Sequence, residues 1–104
     1  MAQSYLTGIA CALFAVTVAL PGSVTAGAPA KAAVCAGCHG QDGNSVNPEL
    51  YPRLSGQSAR YLIMATRSYK DGTRKNDQMK VMAEMLSDDE IEDLAAFYAQ
   101  QPCK

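Results

Sequence analysis

The stretch Val34-Cys35-Ala36-Gly37-Cys38-His39-Gly40 holds two of the chain's four cysteines and its single histidine. Two thiols at Cys-x-x-Cys spacing serve three chemistries: structural zinc, a thiol–disulfide couple, and covalent haem attachment. Structural zinc takes four ligands in a tetrahedron. Cys35, Cys38 and His39 supply three, two of them adjacent in sequence, and Cys103 is the remaining thiol that could join them. A redox pair sits at the start of a helix that follows a strand. Here an Ala-rich helical stretch precedes the pair, and no segment alternates as a strand. Covalent haem attachment uses all three residues: the thiols add to the two vinyl groups, and the adjacent imidazole meets the iron from the proximal side.

If a haem is held there, the sixth iron ligand decides what it does. An open site permits gas binding or peroxidase chemistry, whereas a methionine thioether closes the iron and suits electron transfer. Beyond the initiator, the methionines are Met64, Met79, Met82 and Met85. Met64 falls in a helical stretch. The other three lie before the last helix, where the chain can cross the distal face of the ring. Spacing does not separate Met79 from Met82, and a methionine that is not a ligand fills gaps in a core.

The elements that must position these groups form one small all-α unit. Leu6 to Leu20 is an apolar run, followed by Pro21-Gly22 and small residues at Val24 and Ala26. That layout predicts a secretory signal peptide over residues 1–26, cut after Ala26, and a periplasmic protein over residues 27–104. The n-region has no Lys or Arg, and an uncleaved membrane anchor is the competing reading. A core of the remaining size supplies only about 3–5 kcal/mol. Three cysteines cannot build a disulfide framework, so a large buried cofactor is expected to complete the core.

A first helix is expected through residues 29–38, with Pro29 in its first turn. Residues 39–56 are rich in Gly, Asn, Asp and Pro and read as loop. Ser58 caps a second helix that Asp71-Gly72 ends. Residues 73–86 begin irregular and turn helical later. Ser87-Asp88-Asp89-Glu90 is a capping box opening a last helix whose apolar face is Ile91, Leu94, Ala95 and Tyr98, with Phe97 beside it and Pro102 closing it. The net charge of −1 argues against nonspecific nucleic-acid binding. Seven basic residues stand between Arg53 and Lys80, and six acids between Glu84 and Asp93. This dipolar pattern suits a charged partner, or two ordinary solvated faces.

The stretches "CAGCHGQDGNS", "YPRLSGQSARYL", "DGTRKNDQM" and "LSDDEIEDLAAFYA" resemble the class I c-type cytochromes. The similarity is to small bacterial cytochrome c-553-like monohaem carriers and to one half of diheme periplasmic cytochromes. It runs through nearly all of residues 27–104. It implies a small cytochrome c fold of three to four helices and long loops around one haem c, bound covalently through Cys35 and Cys38. It implies iron ligation by His39 and Met79, with Met82 the fallback. Relatives often carry Asp-Pro-Met-Met where this chain has Asp77-Gln78-Met79. It also implies that the Pro52 carbonyl receives the proximal imidazole's other N–H, that Leu54 packs on the haem, and that Leu94 and Phe97 meet the first helix.

The expected function is one-electron transfer with no bond-making chemistry, between redox partners such as a membrane oxidase, reductase or dehydrogenase. Lys75 and Lys80, flanking Met79, are the expected docking cations. The alternatives are a dedicated haem subunit of a dehydrogenase complex, such as a flavoprotein oxidising sulfide, and a five-coordinate haem enzyme or gas-binding protein. As an odd exported cysteine, Cys103 stays free, is modified, or joins two chains in a disulfide dimer.

Overall fold

The computed structural model of the protein describes residues 15–18 and 27–104. The expected secretory segment, apart from 15–18, and its cut after Ala26 lie outside the described residues. Four α-helices follow in order: α1 (Ala32–His39), α2 (Ala59–Asp71), α3 (Asp77–Glu84) and α4 (Asp88–Ala99). The described residues contain no strand. No described helix is long and apolar enough to cross a membrane.

α1 begins later than its composition suggests. Pro29 lies outside it, and the Ala32 N–H donates to the Pro29 carbonyl at 2.9 Å. No side chain caps its start, so nothing fixes the helix further upstream. It runs one residue beyond the expected end, through His39, and stops at Gly40, whose φ of 82° breaks the helical path. Carrying the helix through His39 places Cys35, Cys38 and His39 at i, i+3 and i+4, on a single helix face.

The connection from α1 to α2 is anchored at Gly43. Its carbonyl accepts from the Leu54 and Ser55 N–H groups at 3.0 and 3.3 Å. The loop carrying Tyr51 and Pro52 is therefore closed at its base. A single 3-10 turn, Gln41–Gly43, precedes it. The C-terminal tail is sewn to the same place: Asn44 Nδ2 donates to the Pro102 carbonyl at 3.2 Å, and Lys104 N donates to Asn44 Oδ1 at 2.9 Å.

α2 has both of its expected ends. The Ser58 hydroxyl accepts from Tyr61 N, and Gly72 closes the helix in the left-handed conformation at φ 83°. α4 opens on the expected capping box, with Ser87 and Glu90 each bonding the other's backbone N–H. Residues 77–84 are helical throughout, where an irregular start was expected. The reason is local: the Asn76 side chain accepts from Met79 N, and Asp77 lies in the first turn. A cap of this kind satisfies an orphan amide, and an acid at a helix start suits the macrodipole.

The core is small. Ala32, Leu62, Leu94, Ala95 and Tyr98 form one buried cluster, with Cys35, Leu54 and Phe97 packed at its margin. Leu94 of α4 shares this cluster with Ala32 of α1, and Phe97 borders it. The Tyr98 hydroxyl also approaches the Ala32 carbonyl at 3.4 Å. Among the described residues, Ile91 is the large side chain most fully removed from water.

Candidate functional site

A cavity of about 290 Å³ lies between α1, the Tyr51–Leu54 loop, α2, α3 and α4. Cys35, Cys38, His39, Pro52, Leu54, Met79 and Met82 all line it. The residues singled out from the sequence therefore converge on one space from three parts of the chain: α1, the loop before α2, and α3. Met85 lines it as well, whereas Met64 does not; Met64 is mostly exposed on α2. Met79 and Met82 lie one turn apart on α3, so both reach the same wall.

His39 is buried. Its Nδ1 lies 2.7 Å from the Pro52 carbonyl oxygen. A carbonyl only accepts, so Nδ1 carries the proton and Nε2 keeps its lone pair for a metal. The contact fixes tautomer and ring plane together, as outer hydrogen bonds do for ligating histidines. Tyr51 meets the imidazole edge-on, with centroids 6.4 Å apart. The closed base at Gly43 holds the loop that brings Pro52 and Tyr51 there.

Cys35 and Cys38 are free thiols. Burial pushes the Cys35 thiol up, more than a hydrogen bond from Tyr98 pulls it down. A redox-active pair works by a depressed thiol at a helix start. Cys35 is in the body of α1 and is shifted the other way, so a thiol–disulfide role does not fit. Among the described residues no three His, Cys, Asp or Glu side chains converge to hold a metal ion, so the donor set of structural zinc is not assembled. Burial, with the nearby Cys35 thiol second, also raises the Tyr98 hydroxyl above the ordinary phenol range.

The cavity fits a haem by the chemistry of its walls. Two thiols on one helix face can take the vinyl groups, an imidazole presents a free nitrogen, and the remaining lining is mostly aliphatic and aromatic. The polar residues Gln57, Tyr61, Arg74 and Asn76 also line it. Sequence reading did not single these out. Arg74 belonged to a basic stretch indistinguishable from a solvated face, and only the fold turns it towards this space.

The cationic stretch is partly consumed within the chain. Arg67 pairs with Asp88 and Glu92 at 3.5 and 2.9 Å, and Lys80 pairs with Glu84 at 2.8 Å. Lys31 pairs with Glu90 at 3.8 Å. Lys75 is exposed and stands in none of these pairs. Cys103 donates its thiol hydrogen to the Ser55 carbonyl at 3.1 Å.

Residues 24–101 match the family described as Cytochrome c. Cytochrome c-554(548) of Halomonas halodenitrificans is 46% identical over 74 residues, covering 68% of this chain and 88% of that protein. Cytochrome c4 of Pseudomonas aeruginosa is 47% identical over 72 residues, covering 69% of this chain and 35% of that longer protein. A thiosulfate dehydrogenase electron acceptor of Stutzerimonas stutzeri is 41% identical over 68 residues, 62% of this chain and 31% of that protein. With its Cys-x-x-Cys-His sequence lining an apolar cavity, the chain belongs to the cytochrome c family: it is a non-enzymatic electron-transfer protein that carries haem c covalently through Cys35 and Cys38.

Proposed function

We propose that this protein is a periplasmic one-electron carrier, with residues 27–104 as the haem domain and iron ligated by His39 and Met79. The observation that carries the ligation is the His39 Nδ1–Pro52 contact of 2.7 Å, which leaves Nε2 for the iron, in a cavity that Met79 also lines. A haem bound there supplies one-electron chemistry, with its iron alternating between the ferrous and ferric states. The chain's own contribution is positional. Cys35 and Cys38 hold the cofactor to one face of α1. Pro52 and Tyr51 lock the imidazole, and the Asn76 cap fixes the first turn of α3 where Met79 stands. Leu54 and Leu62 exclude water from the same space. Rigid ligands on both sides keep reorganisation small when the electron moves.

Partners are other redox proteins. Lys75 is the cation on the Met79 side that remains free for an acidic partner, because Lys80 is held by Glu84. Lys75→Gln is expected to slow transfer at low salt and to lose that effect at high salt. Export to the periplasm rests on the leader-like residues 1–26. In this reading Cys103 is a free thiol held by Ser55, and non-reducing electrophoresis of the exported protein separates this from a disulfide dimer.

A second reading is a tightly bound haem subunit of a dehydrogenase. Val34, Leu50 and Met85 line the cavity yet are each about half or more exposed, and an apolar rim of this kind suits a permanent partner. One relative is named as an electron acceptor of a dehydrogenase. The ligation is tested by adding carbon monoxide to the ferrous protein at neutral pH. An unchanged spectrum is expected, because both axial positions are filled. Ready binding would place the protein with five-coordinate haem proteins instead. Migration as a free small protein after purification from its source favours the diffusing carrier, and co-purification with a large partner favours the subunit.

A further inference from the structure

The basic stretch from Arg53 to Lys80 contains a lysine that neither the ion pairs nor the docking cation accounts for. Lys70 stands in the last turn of α2, outside the ion pairs formed among the described residues. A lysine there suits the helix macrodipole, but this one reaches across to another element. Its ammonium donates to the Leu86 carbonyl at 2.5 Å, a partly buried contact between residues sixteen positions apart. Leu86 belongs to the elbow, residues 85–87, that joins α3 to α4. Among the described residues no backbone N–H donates to that carbonyl. A hydrogen bond from an ionised donor in a partly dry place is among the stronger single contacts open to a small fold.

The elbow matters because α3 cannot hold itself. It has eight residues, short of the roughly 12–15 at which an isolated helix becomes even marginal in water. Its start is tied to α2 by the short connection from Gly72 and by the Asn76 cap. Its end is tied at the elbow. There the Leu86 N–H donates to the Ala83 carbonyl at 3.1 Å, and the Leu86 side chain packs on the core cluster. Ala83 is fully buried and stands one turn after Met79 on the same helix face. A group that holds the elbow therefore holds the turn of Ala83, and with it the face that carries Met79. Lys80 does less. It pairs with Glu84 inside α3 and reaches the Lys70 carbonyl only at 3.4 Å. An exposed pair within one helix does little to hold that helix against another.

We infer that Lys70 is a positioning residue for the sixth iron ligand: its ammonium on the Leu86 carbonyl straps α3 to the end of α2 and keeps Met79 turned into the cavity. This rests on ligation by Met79. For the methionine to leave the iron, α3 must shift away from α2, and the strap resists that shift. Without the ammonium, the Leu86 carbonyl is left unpaired at a partly buried elbow. Opening the elbow to water relieves that cost, so the opened state gains population. A carrier whose methionine leaves in one oxidation state no longer keeps the same ligands through the electron cycle. The strap therefore serves the transfer reaction without touching the iron.

The test is the replacement of the methionine by added imidazole in the ferric, haem-loaded protein, followed through loss of the weak far-red band of methionine-ligated haem. A six-coordinate iron must release its methionine first, so at saturating imidazole the rate reads how often α3 lets go. Lys70→Met keeps the side chain's length and removes the donor. It is expected to speed replacement about tenfold, the size of a lost hydrogen bond to a charged group. A resting Lys70→Met protein that has already lost the band is the same result carried to completion. Lys70→Arg keeps charge and donors and recovers part of the wild-type rate. Lys70→Gln, a shorter neutral donor, gives a smaller acceleration and stands in if Lys70→Met fails to take up haem. Arg67→Gln removes the ion pairs from the same helix to Asp88 and Glu92 and leaves the rate unchanged. Equal rates in the wild type and the Lys70 variants overturn the inference. So does an equal acceleration in Arg67→Gln, which makes the effect a general loosening. A wild type without the far-red band overturns methionine ligation and this inference with it; a band present throughout with equal rates overturns this inference alone.

Discussion

Gly43 has φ 76°, and a Cβ added there stands 2.8 Å from both Ser55 N and Tyr98 Cδ1. Neither neighbour is free to move: Ser55 N is bonded to Gly43's own carbonyl, and Tyr98 is buried. Gly43→Ala is expected to destabilise the haem-loaded protein by about 1–3 kcal/mol from the unfavourable φ and the clash combined. Thermal melting measures it, and an unchanged midpoint would show that the loop base is softer than described. The same residues show what a sequence can disclose. Cys35, Cys38 and His39 were legible because covalent attachment and proximal ligation need contiguous residues. Pro52 and Leu54 entered only through resemblance, since their placement depends on how residues 43–55 close. Arg74 carried no local signal at all, because its neighbours Tyr61 and Tyr69 come from the preceding helix.

α4 was legible almost in full, because its stop and start signals are local: a capping box, an apolar face and a closing proline. Part of that start depends on charge. The Ser87 backbone N–H, bonded to the Glu90 carboxylate, pulls Glu90 below its ordinary value of 4.5, and Lys31 adds to the effect. A carboxyl depressed in the folded state contributes stability above its unfolded pKa and loses it as pH falls through the folded pKa. Glu90→Gln keeps the box geometry but not the charge. The wild type is therefore expected to melt higher than Glu90→Gln at neutral pH, with the difference closing as pH drops below about 4.5. A difference that persists in acid would assign the effect to shape rather than charge. α3 was harder to read, because Asn76 looks like any loop polar residue until its side chain is seen on Met79 N. The difference matters, since an irregular start to residues 73–86 left Met79 without a defined element, and it stands in the first turn of α3.

For the whole chain, the five-residue buried cluster around Leu62 and Leu94 is slight for a domain of this length. The cavity walls are apolar and face one another across space that the cofactor occupies. Small cores of this kind supply only about 3–5 kcal/mol, so the haem completes the fold as well as the function. Without attachment, as in a Cys35→Ser/Cys38→Ser double variant, the chain is expected to be largely unfolded by circular dichroism. A cooperative, fully helical melt in that variant would show that the protein part suffices.

The ligand set is tested most directly by the weak far-red absorption that ferric haem shows when a methionine sulfur binds the iron, compared in Met79→Ala and Met82→Ala. Ligation by His39 and Met79 predicts that the band is present in the wild type, retained in Met82→Ala and lost in Met79→Ala, which then binds carbon monoxide in the ferrous state. Loss of the band in Met82→Ala instead would move the ligand one turn along α3, and its absence from the wild type would contradict methionine ligation altogether.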